Sequence, residues 1–150
     1  MTFVVTVTAV DEAPIISAIN DPAAINEDGT LGAFAFTVTD VDTDAPTLTV
    51  SAGSGNTTLI PNANLTLTGG EPNFTIAATP VANGFGTSLV TITAADATST
   101  RTETFTVTVT SVNDLPTIAA IADFAIAEDP AVPPSITLVI DDVEDGCGGL

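Results

Sequence analysis

The chain writes one stretch twice. Residues 2–16 read TFVVTVTAVDEAPII and residues 104–118 read TFTVTVTSVNDLPTI, at a fixed offset of 102 residues. From residue 2 to residue 14, eight of thirteen positions are identical, among them Phe3/Phe105, Val5/Val107, Val7/Val109 and Pro14/Pro116. A self-match of this length at constant spacing marks a tandem repeat, which restricts the chain to units that follow one another in series. Each copy holds an alternating strand, a short acidic linker and a proline.

The period divides the 150 residues into three parts. Residues 1–13 read as the last strand and linker of a preceding repeat. Residues 14–115 are one complete repeat. Residues 116–150 are the truncated start of the next, with its first two strands.

Within the complete repeat the apolar residues alternate. Phe34, Phe36 and Val38 share one face of a clear strand, and Val90, Ile92 and Ala94 share a face of another. Phe105, Val107 and Val109 do so in the last strand, and residues 2–8 repeat that pattern. Period-two alternation is the pattern of a half-buried strand. A first strand begins at Ile15 and is interrupted by Pro22, a residue tolerated at sheet edges. A short strand is also expected at residues 58–60. Turn clusters such as Asn26-Glu27-Asp28-Gly29, Gly53-Ser54-Gly55, Gly69-Gly70 and Asn83-Gly84 separate the strands. About seven short strands without helical periodicity predict an all-β, antiparallel, Ig-like β-sandwich. There is no tryptophan, and the single cysteine, Cys147, leaves no disulfide within the chain.

The third part echoes the start of the second. Pro116, Ile121 and Glu128-Asp129 follow the order of Pro14, Ile19 and Glu27-Asp28, and residues 136–140 repeat the second strand. Two strands cannot close a sandwich core. Residues 116–150 are therefore expected to be poorly ordered or to borrow partners.

Charge narrows the function. Nineteen Asp and Glu face one basic residue, Arg101, for a formal net charge of −18. Nucleic acid is excluded, because phosphate contacts need Lys and Arg. No apolar run is long enough to span a bilayer, so direct membrane insertion is not expected. The start lacks a basic segment and a small-residue cleavage site, so no signal peptide is read there. The chain has no His, Lys or Tyr, which removes the usual bases and nucleophile activators and points away from an enzyme.

Strand direction sorts the acids. Each strand of an antiparallel sandwich crosses the domain, so successive loops alternate between its ends. Asp11, Glu12, Asp40, Asp42, Asp44 and Asp96 fall at the upper end. Glu27, Asp28, Asn113 and Asp114 fall at the lower end, where the next unit would bring Asp142 and Glu144. Asp21, Glu71, Glu103 and Asp123 are read as lying apart. Such clustering is costly unless a cation compensates. Ca²⁺, which takes roughly 6–8 oxygen ligands, suits sets of this kind. An acidic hinge without a bound ion is the competing reading. Asp40-x-Asp42-x-Asp44 opens like an EF-hand loop, but Ala45 stands where glycine is needed and Ser51 where the closing glutamate belongs.

The ordered set Glu27-Asp28, Asp40-Val41-Asp42, Ala94-Ala95-Asp96 and Val112-Asn113-Asp114-Leu115-Pro116 resembles the cadherin calcium motifs. The whole unit is similar to bacterial cadherin-like and Ig-like tandem repeats of large surface proteins of adhesin type. The linker lacks the leading Asp and the final Asn of the cadherin form, and residues 79–87 hold no mid-domain acidic motif. The resemblance implies one or two Ca²⁺ at a junction, held by the upper and lower sets. It also implies an extracellular or cell-surface location, neighbouring repeats of the same polypeptide as partners, and a role as rigidifying spacer or adhesion module. The alternatives are a calcium-independent Ig-like spacer and a module that binds a glycan or a surface protein through its exposed threonines.

Overall fold

The computed structural model describes the chain except residues 9, 43–47, 122, 124, 126, 127, 129–134 and 143–150. The chain forms two compact units, Met1–Ser111 and Val112–Leu150.

The first unit is a two-sheet sandwich with no α-helix among its described residues. Its strands are β1 (Ile15–Ile16), β2 (Ile25–Asn26), β3 (Leu31–Thr39), β4 (Thr49–Ser54), β5 (Leu65–Gly70), β6 (Asn73–Ala78), β7 (Gly86–Ala95) and β8 (Thr100–Thr110). One sheet has the order β1-β3-β6-β5 and the other β2-β8-β7-β4. All pairings are antiparallel except β2 with β8, which is parallel. This is the immunoglobulin-like arrangement the sequence predicts.

Alternation decides which side chains enter the core. Phe36 and Val38 of β3, Ile76 of β6, Val90, Ile92 and Ala94 of β7, and Phe105, Val107 and Val109 of β8 are buried between the sheets. Phe34 meets Phe105 edge to face at 5.1 Å, and Phe36 stacks on Phe74 at 5.8 Å. Both geometries are favoured by aromatic quadrupoles. With no tryptophan, these phenylalanines and the β-branched residues fill the interior.

The interruption at Pro22 has a structural meaning beyond edge tolerance. β1 pairs with β3 in one sheet, and β2 pairs with β8 in the other. The first strand changes sheets across the break.

Two expected strands are absent. Residues 58–60 form a turn and not a strand. The Asn56 carboxamide oxygen accepts from the Thr58 hydroxyl at 2.7 Å and from the Leu59 amide at 3.2 Å. The Asn56 carbonyl accepts from the Ile60 amide at 2.9 Å. This closed loop drops Leu59 and Ile60 into the core. Residues 2–8 carry the alternating pattern yet form no strand, and Phe3, Val5 and Val7 are 87%, 72% and 88% exposed. Their pattern requires a partner sheet, and no strand among the described residues pairs with them.

The second unit holds β9 (Thr117–Ile118) and β10 (Ile140–Asp141), paired antiparallel. Its register repeats that of the first unit. Ile15 and Ile16 face Thr39 and Val38, while Thr117 and Ile118 face Asp141 and Ile140. Ser17 donates its amide to Thr37, and Ala119 donates to Val139. Every one of these partners is displaced by the same 102 residues. Within the expected strand 136–140, only residue 140 lies in a strand. The expected echo at residues 126, 127 and 129 and the end of the chain from residue 143 lie outside the described residues.

Candidate functional site

Three chain segments of the first unit meet at the end where β3 and β7 finish. They are the linker before β1, the loop after β3 and the β7–β8 turn. The turn is built by Asp96. Its Oδ1 accepts the backbone amides of Thr98 and Ser99, each at 2.6 Å, while its own amide donates to the Ser99 carbonyl at 3.2 Å. Short polar side chains that accept from amides two or three residues ahead stabilise tight turns of this kind. The Thr98 amide is the main cause that holds the Asp96 carboxyl below its ordinary pKa. The Ser99 amide and the Thr98 hydroxyl act in the same direction, and burial opposes them. Asp96 Oδ2 is buried with no hydrogen-bond partner among the described residues.

The linker is tied to that turn and to the β3 loop. Asp11 Oδ2 accepts from the Thr98 hydroxyl and lies 3.5 Å from the Ser99 hydroxyl. The Glu12 amide donates to Asp42 Oδ2 at 2.9 Å, and the Asp42 amide donates to Asp40 Oδ1 at 3.2 Å. The Asp40 amide donates to Glu71 Oε1 at 3.2 Å. The upper set therefore assembles as a hydrogen-bonded group containing Asp11, Glu12, Asp40, Asp42 and Asp96. Asp44 lies outside the described residues.

Glu71 corrects the sequence reading, which set it apart. It occupies the turn between β5 and β6 and reaches the Asp40 amide. Counting strand directions without a strand at 58–60 sends β5 toward this end and puts Glu71 among the acids. The same counting placed Asp96 there.

Thr98 creates an electrostatic conflict. Its hydroxyl contacts both Asp11 Oδ2 and Asp96 Oδ1, the latter at 3.2 Å. A hydroxyl has one proton, so it satisfies only one of two carboxylates at a time.

The lower set divides between the units. In the first, Glu27 is buried and its amide donates to the Thr110 carbonyl at 2.9 Å. Asp28 sits at φ +59°, and its Oδ1 accepts the Asn83 amide at 2.9 Å. In the second, the Asn113 carboxamide donates to the Asp114 carbonyl at 2.7 Å, and Asp142 is half-buried. Glu144 lies outside the described residues. Among the described residues no three His, Cys, Asp or Glu side chains form a group that could hold a metal ion. No described helix is long and apolar enough to cross a membrane.

No protein-family model matches the chain, and no curated protein matches it in sequence. Solved structures do. A chimeric titin Z1Z2 functionalized with a KLER exogenous peptide from decorin is 13% identical with a TM-score of 0.50, covering 69% of this chain and all of that one. Titin domain M7 is 14% identical with a TM-score of 0.51, covering 69% of this chain and 99% of that one. The titin domains Z1Z2 in complex with telethonin are 13% identical with a TM-score of 0.50, covering 75% of this chain and 55% of that one. At these identities the likeness shows the Ig-like fold.

Proposed function

We propose that the chain is a calcium-stabilised Ig-like repeat of bacterial cadherin-like type. It acts as a rigidifying, non-enzymatic spacer or adhesion module in an extracellular tandem array. The observation that carries this reading is the single Thr98 proton shared by Asp11 and Asp96 beside a buried, unpartnered Asp96 oxygen. A divalent cation would satisfy both carboxylates where one hydroxyl cannot. The repeated register of β1/β3 and β9/β10 supports the array. The Ig-like sandwich itself suits a unit that works by being stiff.

The donor chemistry fits Ca²⁺, since every candidate is an oxygen. Asp11, Asp42, Asp96 and Glu71 would hold the ion at the upper end, with Glu12 and Asp40 beside them. Because no three of the described acidic side chains converge, binding would have to draw these carboxylates together and tighten the linker against the turn. Glu27 and Asp28 of the first unit, and separately Asn113, Asp114, Asp142 and Glu144 of the residues after it, are the remaining candidate ligands.

Melting curves in Ca²⁺ and in EDTA test this. Calcium at about 100 times its dissociation constant should add about 2.7 kcal/mol. For a unit of this size that raises the melting temperature by roughly 10 °C. Replacing Asp96 and Asp11 together by Asn should remove most of the shift. Equal melting temperatures in calcium and EDTA would overturn the calcium reading and leave a calcium-independent spacer.

A further inference from the structure

β3 is longer than the strand that pairs with its outer edge. It runs from Leu31 to Thr39, but β1 takes only Val38 and Thr39. Ser17 then adds two bonds to Thr37, one from its amide to the carbonyl and one from the Thr37 amide to its hydroxyl. Beyond Ser17 the chain crosses to the other sheet and forms β2. Among the described residues no strand takes the same edge of β3 before Thr37. The Thr37 amide and carbonyl face β1, whereas the Val38 amide faces the other way and donates to the Pro72 carbonyl. Alternation along an antiparallel strand therefore turns the amide and carbonyl of Ala35 to the vacated edge.

A groove of about 340 Å³ opens beside that edge. Ile19 and Pro22 of the crossing segment line one side, and Leu31, Gly32, Phe34 and Ala35 of β3 line the other. The register of β3 with β6 shifts between Leu31 and Phe34, and a Cβ on Gly32 would meet nothing within 4 Å. No residue lining the groove is charged. Asp21 falls between the lining residues Asn20 and Pro22 and is exposed, and its Oδ1 is anchored by the Thr106 amide at 2.6 Å.

We infer that this edge takes an extended basic peptide as an added strand. The amide and carbonyl of Ala35 supply ladder bonds, and every second side chain of the peptide, an apolar one, enters the groove against Phe34. Main-chain pairing gives such an addition its affinity, and pockets for alternate side chains give it selectivity. Residues 31–36 span about 20 Å, the length of a strand of about six residues. Charge selects the occupant. A chain of net charge −18 draws a cationic segment and repels an acidic one, and Asp21 places one fixed carboxylate next to the groove. A second copy brings the same −18 with it, although its residues 2–8 carry a strand pattern. The added strand uses no residue of the proposed calcium set, so the inference stands or falls without the metal.

Fluorescence anisotropy of a labelled, alternating lysine–valine peptide with the full chain in EDTA tests the inference. The peptide should bind, and an alternating lysine–glycine peptide of equal charge should bind roughly tenfold more weakly. Gly32→Phe fills the groove and should weaken binding of the lysine–valine peptide roughly tenfold with an unchanged circular dichroism spectrum. Asp21→Asn keeps an acceptor for the Thr106 amide but removes the charge, and it should weaken binding several-fold. Equal binding of the two peptides, or binding that survives Gly32→Phe, would mean attraction to net charge alone and overturns the inference. Self-association of the free chain that Gly32→Phe abolishes and Val5→Asp also abolishes would put residues 2–8 of a second copy in the groove and overturns the choice of a basic peptide.

Discussion

Asp96 shows how one carboxylate organises a turn. Two backbone amides at 2.6 Å fix its Oδ1, and these bonds favour the charged form, which is why its pKa falls. The consequence for pH has a definite sign. A carboxyl group whose folded pKa lies below its unfolded value stabilises the fold fully above the ordinary Asp value near 3.9. That contribution is lost as pH falls through the lower folded value. An NMR titration should find the Asp96 midpoint below the ordinary value. The stability difference between the wild type and Asp96→Asn should shrink as the solution is acidified past it. A midpoint at or above 3.9 would contradict the amide-capped turn.

Among the elements, the long strands were legible with their core faces, while for the short first strand only its presence and its break at Pro22 were legible. β3, β7 and β8 each alternate over several residues, and their core-facing side chains follow directly from that alternation. β1 and β2 are two residues each, and nothing local tells that they join different sheets. Their pairing depends on which strand runs alongside after Pro22 breaks the chain. Residues 58–60 look like strand in composition, but Asn56 offers the backbone a closer set of partners. Glu71 was legible too, since the direction count that puts Asp96 at this end also turns β5 toward it, and reading Glu71 as apart did not follow that count through. Asp40, Asp42 and Asp96 were legible because they follow the ends of β3 and β7, and Asp11 and Glu12 because they lie just before β1. Their interlocking through Thr98 was not, because it needs the β7–β8 turn in three dimensions. The β5–β6 hairpin gives a sharp test of element-level constraint. Gly69 lies at φ +115°, and a Cβ there would meet the Asn73 carbonyl oxygen at 2.3 Å. Gly69→Ala should cost about 1–3 kcal/mol in urea unfolding. At Gly70 a Cβ meets nothing within 4 Å, so Gly70→Ala should stay within about 0.5 kcal/mol.

The whole molecule contains a natural control for the role of context. Residues 2–8 and residues 104–110 differ only at Val4 and Thr106. One copy is an exposed segment without strand pairing, and the other is a core strand with Phe105 and Val107 at 1% exposure. Hydrogen exchange should therefore separate two nearly identical peptides. The amides of residues 2–8 should exchange at nearly unprotected rates, and those of residues 104–110 only through opening of the sandwich. Comparable protection in both would mean that the first copy finds a sheet to join. Sequence pattern alone specifies that a stretch can be a strand, and the neighbouring chain specifies whether it is one.

The change of sheets at Pro22 also fixes how the sandwich responds to a pull. β2 lies near the start of the unit and β8 ends it, and they run side by side in the same direction. Traction applied at the two ends of the unit drags these strands past each other lengthwise. The Glu27–Thr110 amide bond, the one bond the Thr110 hydroxyl donates to either the Ile25 carbonyl or the Asn26 carboxamide oxygen, and the Asp21–Thr106 bond then bear load together. Bonds strained in parallel must break nearly at once, whereas a hairpin peeled from its open end yields one bond at a time. The first two residues of ladder after the proline thus form a latch against stretching.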